Sequence, residues 1–218
     1  MSPPQRVQLE RVLATLAEDP SAPTTVTSPE RALGVHLADS LVALELPGVG
    51  EARRAADIGS GAGFPGLALA IALPAARVSV VESQARKCDF LTRLVAAAVI
   101  ANATVVCRRA EDWPGGLGVH DLVTARALGA ATVVLEYAAP LLRVGGALVQ
   151  WRGRREAGTE RSAREVARRL GLEAREVRHV EPFPGAKHHH LHVYVKVGDT
   201  PPHLPRRPGM ARKRPLQP

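Results

Sequence analysis

Aromatic rings are scarce in this chain: Phe, Tyr and Trp together make up 3% of it. Any ligand held by stacking must be held by very few side chains. Cysteine is scarcer still, with only Cys88 and Cys107 present. Both sit in apolar contexts and neither has a C-x-x-C partner, so they are expected as reduced core residues of a cytoplasmic protein. No charged-then-apolar leader opens the chain, and no apolar run is long enough to span a bilayer, so neither secretion nor a membrane partner is expected. After Asp199 there is no further acid.

What remains is ordinary in amount and uneven in placement. The 218 residues suit one domain with a sizeable core, and a hydrophobic content of 45% excludes disorder throughout. The formal net charge of +8 comes almost entirely from arginine and favours a polyanionic partner.

The most informative stretch is Asp57-Ile58-Gly59-Ser60-Gly61-Ala62-Gly63-Phe64-Pro65-Gly66. Arg54 to Ile58 reads as a short buried strand and Leu67 to Leu73 as the helix beyond it. Glycines between them let the backbone turn tightly and approach a ligand, and the helix is expected to aim free N–H groups at that ligand. Glu82 ends the next apolar run, Val78 to Val81, where an acid can accept from ribose hydroxyls. A Gly-rich surface loop is the plain alternative, and the strand before, the helix after and the acid in place argue against it. Gly61, Gly63 and Gly66 satisfy G-x-G-x-x-G, which keeps NAD open. No Lys-Ser/Thr follows, which excludes a P-loop. The Asp-x-Gly-x-Gly-x-Gly form suits S-adenosylmethionine (SAM), which has no pyrophosphate to cradle.

Taken in order, Val7 to Glu18 has helical spacing, and Asp19 to Thr27 reads as a loop. Ser28-Pro29-Glu30 starts a helix whose buried face is expected at Leu33, Leu37, Leu41 and Leu44, with His36 and Asp39 together off that stripe. Ala85 to Val99 is a second crossover helix with Arg86 and Lys87 in its first turn. Thr104 to Cys107 is a third strand, and Ala110-Glu111-Asp112 follows it where strand-end loops line a ligand crevice, placing Ala110 N–H and an acid to read an adenine ring. Asp121 to Ala125 is a fourth strand, and Arg126 stands just beyond its end, where the strand order reverses and the crevice opens. Leu128 to Ala139 reads as helix and Ala147 to Trp151 as a fifth strand, followed by a basic cluster at Arg152, Arg154 and Arg155. Glu160 to Leu170 is an Arg-rich helix, and Glu176 to Val180 and Leu191 to Val197 are the last two strands. His188, His190 and His192 share one strand face, yet no Cys or acid lies nearby at ligand spacing, so no metal is expected. Residues 200–218 read as a basic C-terminal arm, extended and suited to RNA backbone, after a single domain over 1–199 whose first 50 residues form a helical extension.

The run DIGSGAGFPGLALAIA closely resembles the ribosomal RNA small subunit methyltransferase G family, also called glucose-inhibited division protein B. So do HLADSL upstream, Glu82-Ser83 and Arg86-Lys87, Arg126-Ala127, and the ending PRRPGMARKRPL. The resemblance spans His36 to Leu216. It implies an α/β fold: a Rossmann-like class I SAM-dependent methyltransferase with a seven-stranded, mostly parallel sheet and a helical N-terminal extension. It implies methyl transfer from SAM to N7 of a guanine in 16S ribosomal RNA, with the small ribosomal subunit as partner and the protein acting as a monomer. Cofactor contacts are implied at Gly59, Gly61, Phe64, Glu82, Ala110, Glu111 and Arg126, with Arg126 close to the methyl donor and the candidate catalytic residue. His36 and Asp39 are drawn toward a wall of the active-site cleft. Two departures stand out: the Trp- and Asn-containing segment usual near the N-terminus is missing, and Arg152 replaces the usual Lys.

The chemistry agrees with what the chain lacks. Guanine N7 carries an exposed lone pair and no proton. It needs no general base, only alignment with the methyl group and sulfur. Neither a His–acid dyad nor a Ser or Cys nucleophile stands out. Phe64 and Trp151 are the candidates for stacking on a base. Two other readings remain: a catalytically silent RNA-binding or assembly protein on the same fold, and an NAD-dependent oxidoreductase, for which no Lys, Tyr or His is placed at a nicotinamide.

Overall fold

The computed structural model describes residues 1–26 and 28–218. Thr27, the end of the expected Asp19–Thr27 loop, lies outside the described residues. Seven strands form one sheet: β1 (Arg54–Ile58), β2 (Arg77–Glu82), β3 (Ala103–Cys107), β4 (His120–Arg126), β5 (Leu142–Arg152), β6 (Leu172–Val180) and β7 (His189–Lys196), in the order β3-β2-β1-β4-β5-β7-β6. The first five pair in parallel, and β7 runs antiparallel between β5 and β6. The helices are α1 (Pro3–Glu18), α2 (Pro29–Ala32), α3 (Asp39–Leu41), α4 (Gly66–Ala72), α5 (Ala85–Ala97), α6 (Ala131–Ala138), α7 (Ala157–Arg169) and α8 (Met210–Lys213). The central strands are buried on both faces, so they read as apolar runs rather than as alternations. Ala55, Val80 and Leu122 face α1, α4 and α5, while Ala56, Val81 and Val123 face α6 and α7.

Three expectations are corrected. The helix opened by Ser28-Pro29 is not one regular α-helix: a π-helical turn, Leu33–Ala38, separates α2 from α3, and a 3₁₀ turn, Val42–Glu45, comes after it. A π turn takes more residues per turn and rotates the side chains beyond it about the helix axis. Leu33 is therefore 56% exposed, while His36 and Asp39 are turned inward to 7% and 3% exposure. Second, Cys88 and Cys107 are not free thiols. The first turn of α5 lies against the end of β3, and the two are joined as a disulfide with Cα atoms 5.7 Å apart. Their separation in sequence hides that proximity.

Third, the C-terminal segment is not an extended arm. Arg206 Nε and Nη2 donate to the two carboxylate oxygens of Glu136 at 2.6 and 2.5 Å, and Glu136 is buried in α6. Ala211 is buried in the apolar layer that α6 and α7 share, and Leu204 and Leu216 pack against it. A basic segment looks solvated in sequence because its acidic partner lies 70 positions away.

The inward turn of His36 has a stability consequence. Nε2 lies 3.0 Å from Thr24 Oγ1, and Nδ1 lies 3.3 Å from Arg126 Nη2. Arginine can only donate, so Nδ1 accepts and the ring is neutral. Burial first, then the Arg126 charge, lower its pKa to about 4. Burial likewise lowers His192 to about 4. Both rings refuse a proton that the unfolded chain accepts near 6.5. Their contribution is therefore complete above 6.5 and is lost as pH falls toward 4. The urea midpoint is expected to fall between pH 7 and pH 5, and His36→Gln should flatten that slope; a slope unaltered by the substitution would mean that the ring is solvated. A separate expectation concerns the tail: Arg206→Ala leaves a buried carboxylate unpaired and should cost about 3 kcal/mol in urea unfolding, whereas a detached arm would show no change.

Candidate active site

The site forms at the carboxyl ends of β1, β2, β3 and β4, where the order reverses between β1 and β4. Gly59 leaves β1 with φ of +70°, and a Cβ there would collide with Leu128 Cδ1. A side chain there would have to displace Leu128 and would be strained by the left-handed backbone. Gly59 and Ser60 N–H both donate to Val81 O, at 2.8 and 3.1 Å, which sews the loop to β2. Gly63 N–H donates to Ser60 O at 2.7 Å, and Leu67 N–H to Gly63 O at 2.8 Å.

Asp57 organises this turn from beneath. Its Oδ1 accepts from Thr124 Oγ1 at 2.8 Å and its Oδ2 from Gly66 N–H at 3.1 Å. It is 1% exposed, and burial raises its pKa against the pull of these hydrogen bonds. A Cβ on Gly66 would lie 2.7 Å from Asp57 Cβ and 2.8 Å from Val80 Cγ1, so Gly66 is present for close packing. The start of α4 does not aim free N–H groups outward as expected: Gly66 gives its own to Asp57.

Glu82 ends β2 with its carboxylate against backbone amides. Oε1 accepts from Ser83 and Gln84 N–H at 2.7 and 3.0 Å, and Oε2 from Gly61 N–H at 3.1 Å. Oε1 is filled by its two amides, while Oε2, with one, retains a lone pair; the residue lines a cavity of about 300 Å³. Gly59, Glu82, Ala110 and Glu111 line that cavity, joined by Lys87, Arg109, Ala127, Leu128, Tyr137 and Arg212. Glu111 Oε1 already accepts from Gly209 N–H at 2.9 Å. The cavity has this width because α6 starts at Ala131, not at Leu128. Ala127 has φ of +54°, and residues 127–130 are loop.

Gly61, Phe64 and Arg126 do not line this cavity. Gly61 reaches it through Glu82. Phe64 and Arg126 belong to an adjoining cluster beyond the glycine loop. Phe64 is 4% exposed and stacks on His36, with centroids 4.8 Å apart and planes within 4°. The Arg126 guanidinium lies 5.8 Å from the Phe64 centroid. Its Nη1 donates to Val35 O at 3.0 Å and Asp39 Oδ2 at 2.8 Å. Asp39 Oδ1 lies 2.9 Å from His189 Nδ1, and Asp39 O accepts from Trp151 Nε1 at 2.7 Å. One buried aspartate thus ties together α3, β4, β5 and β7. Neither expected stacking ring is free: Phe64 is covered by His36, and Trp151 is 7% exposed.

His189 is the member of the histidine run that faces this cluster, not His188, His190 or His192. His190 instead points the other way, with Nδ1 2.9 Å from Gly153 O. Strand alternation assigns the odd-numbered ring to the opposite face, so the signal for His189 was present in the pattern. Nothing in the sequence announces Tyr137 or Arg212, which arrive from elements remote in the chain.

Comparison with known proteins bears on the fold and the family. Among solved structures, Aeropyrum pernix fibrillarin, crystallised with natively bound S-adenosyl-L-methionine, matches 73% of this chain and 74% of its own at TM-score 0.59 and 22% identity. The 16S rRNA (adenine(1408)-N(1))-methyltransferase from Catenulisporales acidiphilia matches 68% and 87% at TM-score 0.56 and 20% identity. At these identities the likeness is one of fold, that of the Rossmann-like class I methyltransferases. Sequence similarity goes further. A Ribosomal RNA small subunit methyltransferase G from Synechococcus sp. (strain JA-3-3Ab) is 37% identical over 99% of this chain and 86% of its own. Another, from Desulfitobacterium hafniense (strain Y51), is 35% identical over 88% and 81%. The family pattern for rRNA small subunit methyltransferase G matches residues 16–189. On that match and these identities, the chain belongs to the rRNA small subunit methyltransferase G family.

Proposed function

We propose that this protein transfers the methyl group of SAM to N7 of a guanine in 16S ribosomal RNA of the small subunit. The observation that carries the choice of cofactor is the pair of carboxyl groups at the glycine loop. A dinucleotide needs loop and helix N–H groups for its pyrophosphate. Here Gly61 N–H is held by Glu82 and Gly66 N–H by Asp57. Both amides are thus already occupied and are not free donors for a phosphate. SAM brings no phosphate, and a ribose hydroxyl is a donor that matches the remaining lone pair on Glu82 Oε2. Ala110 and Glu111 then face the adenine end of the cavity. The fit is one of donor to acceptor, in a cavity at the small end of the usual range for ligands.

SAM supplies an electrophilic methyl group when bound. The protein's part is alignment and exclusion of water. N7 attacks with its own lone pair, so no side chain has to remove a proton. Asp39 and His36 hold Arg126 from two sides, and Arg126 keeps donors on Nε and Nη2. We assign these to the O6 edge of guanine or to steadying the cofactor, with N7 left free. The division into a methyltransferase domain over 1–199 and a basic segment over 200–218, the monomeric state, the small subunit as partner and a cytoplasmic location belong to the same proposal. Among the described residues no helix is long and apolar enough to cross a membrane.

Two outcomes test this reading. With small ribosomal subunits and methyl-labelled SAM, the label should be recovered as 7-methylguanosine; label on N1 or N2 would overturn the N7 assignment. Glu82→Gln removes a charged acceptor and should weaken SAM binding about tenfold in isothermal titration, while NADH gives no heat with either protein. An unchanged SAM affinity would take Glu82 out of the ribose site.

A further inference from the structure

We propose that the C-terminal segment is a working part of the cofactor cavity and that Arg212 is its contact with the adenine ring. This rests on the SAM reading and goes beyond it, because a basic tail in an RNA-modifying protein would ordinarily be assigned to RNA backbone.

The segment is fastened at both ends. On one side, Arg206 forks onto buried Glu136, and its Nη2 also donates to Arg214 O at 2.9 Å. On the other, Arg169 Nη1 donates to Gln217 O at 2.6 Å, and Leu216 packs on the α6–α7 layer. Between these points the chain turns at Gly209, with φ of +83° and nothing within 4 Å of a notional Cβ. The glycine is there for its backbone conformation. The turn has two results. Gly209 N–H lands on Glu111 Oε1, and α8 begins with Ala211 inward and Arg212 toward the cavity.

Arg212 Nη2 donates to Leu128 O at 3.0 Å, and both residues line the same walls as Ala110, Glu111 and Tyr137. Ala110 and Glu111 are the strand-end residues that face the adenine ring in the SAM reading. A guanidinium offers donors to the acceptor nitrogens of a purine and a flat face to its ring. Lys213, the next cation, does not line the cavity. Of the two neighbouring cations, only the arginine is fixed at this wall.

The test compares Arg212→Ala, Arg212→Lys and Lys213→Ala with the wild-type protein. SAM and 5′-methylthioadenosine, which lacks the amino-acid tail, are each titrated calorimetrically, with urea midpoints in parallel. Arg212→Ala should weaken both ligands about tenfold and Lys213→Ala neither. Arg212→Lys keeps the charge and the stem, so it guards against loss of fold; it should bind more weakly than wild type at an unchanged midpoint. Equal affinities for wild type and both Arg212 variants would overturn the inference while leaving the SAM reading intact. A loss confined to SAM would overturn the adenine assignment. Failure of the wild-type protein to bind SAM, with small subunits present as well, would remove the cofactor reading and this inference with it.

Discussion

The Asp57 carboxyl group is the constraint on which the site depends. One oxygen is held by Thr124 from β4, and the other holds the amide that begins α4. Between those bonds the chain must travel from Ile58 to Gly66 around a small closed path. The turn at Gly59, the absence of a side chain at Gly66 and the seating of Ser60 beneath β2 result from closing it. A buried carboxyl is costly unless its oxygens are satisfied. Here the satisfying groups are the elements that shape the ligand crevice, so holding the acid and shaping the loop are one event.

A second aspartate does similar work on the far side of the loop. Asp39 receives Arg126 and His189 on its side chain and Trp151 on its backbone oxygen. The glycine loop therefore lies between two aspartate clasps, one holding the turn from beneath and one beside it. Arg126 and Glu82 are separated in role by this arrangement: Glu82 faces the cavity, and Arg126 faces a wall of aromatic and imidazole rings.

The strand-end positions of Gly59, Glu82, Ala110 and Arg126 were legible because parallel strands buried on both faces are apolar runs of clear length, while the sheet topology came from the family resemblance. The acids that end them break the pattern visibly. His36 and Asp39 were flagged only by resemblance. Their burial depends on a π turn, and a helical stripe drawn at 3.6 residues per turn puts Leu33 inside in their place. The Cys88–Cys107 pairing and the Arg206–Glu136 pair are contacts between remote positions, and local composition carries no trace of either. Arg212 shows the same limit: its charge was plain, its destination was not.

The reversal of β7 shapes the site's edge in one more way. In a wholly parallel sheet each strand brings only its finishing end to the ligand side. Because β7 enters there, at His189, and β6 finishes there, at Val180, the stretch between them is a hairpin loop beside α2 and the π turn. Pro182, Phe183 and Pro184 lie in it, and Phe183 meets His189 edge-on at 5.4 Å. A hairpin loop can lengthen, shorten or change residues without disturbing a crossover helix. The protein thereby has one edge whose outline is set by a loop, while the glycine turn at the cofactor cavity is fixed by Asp57.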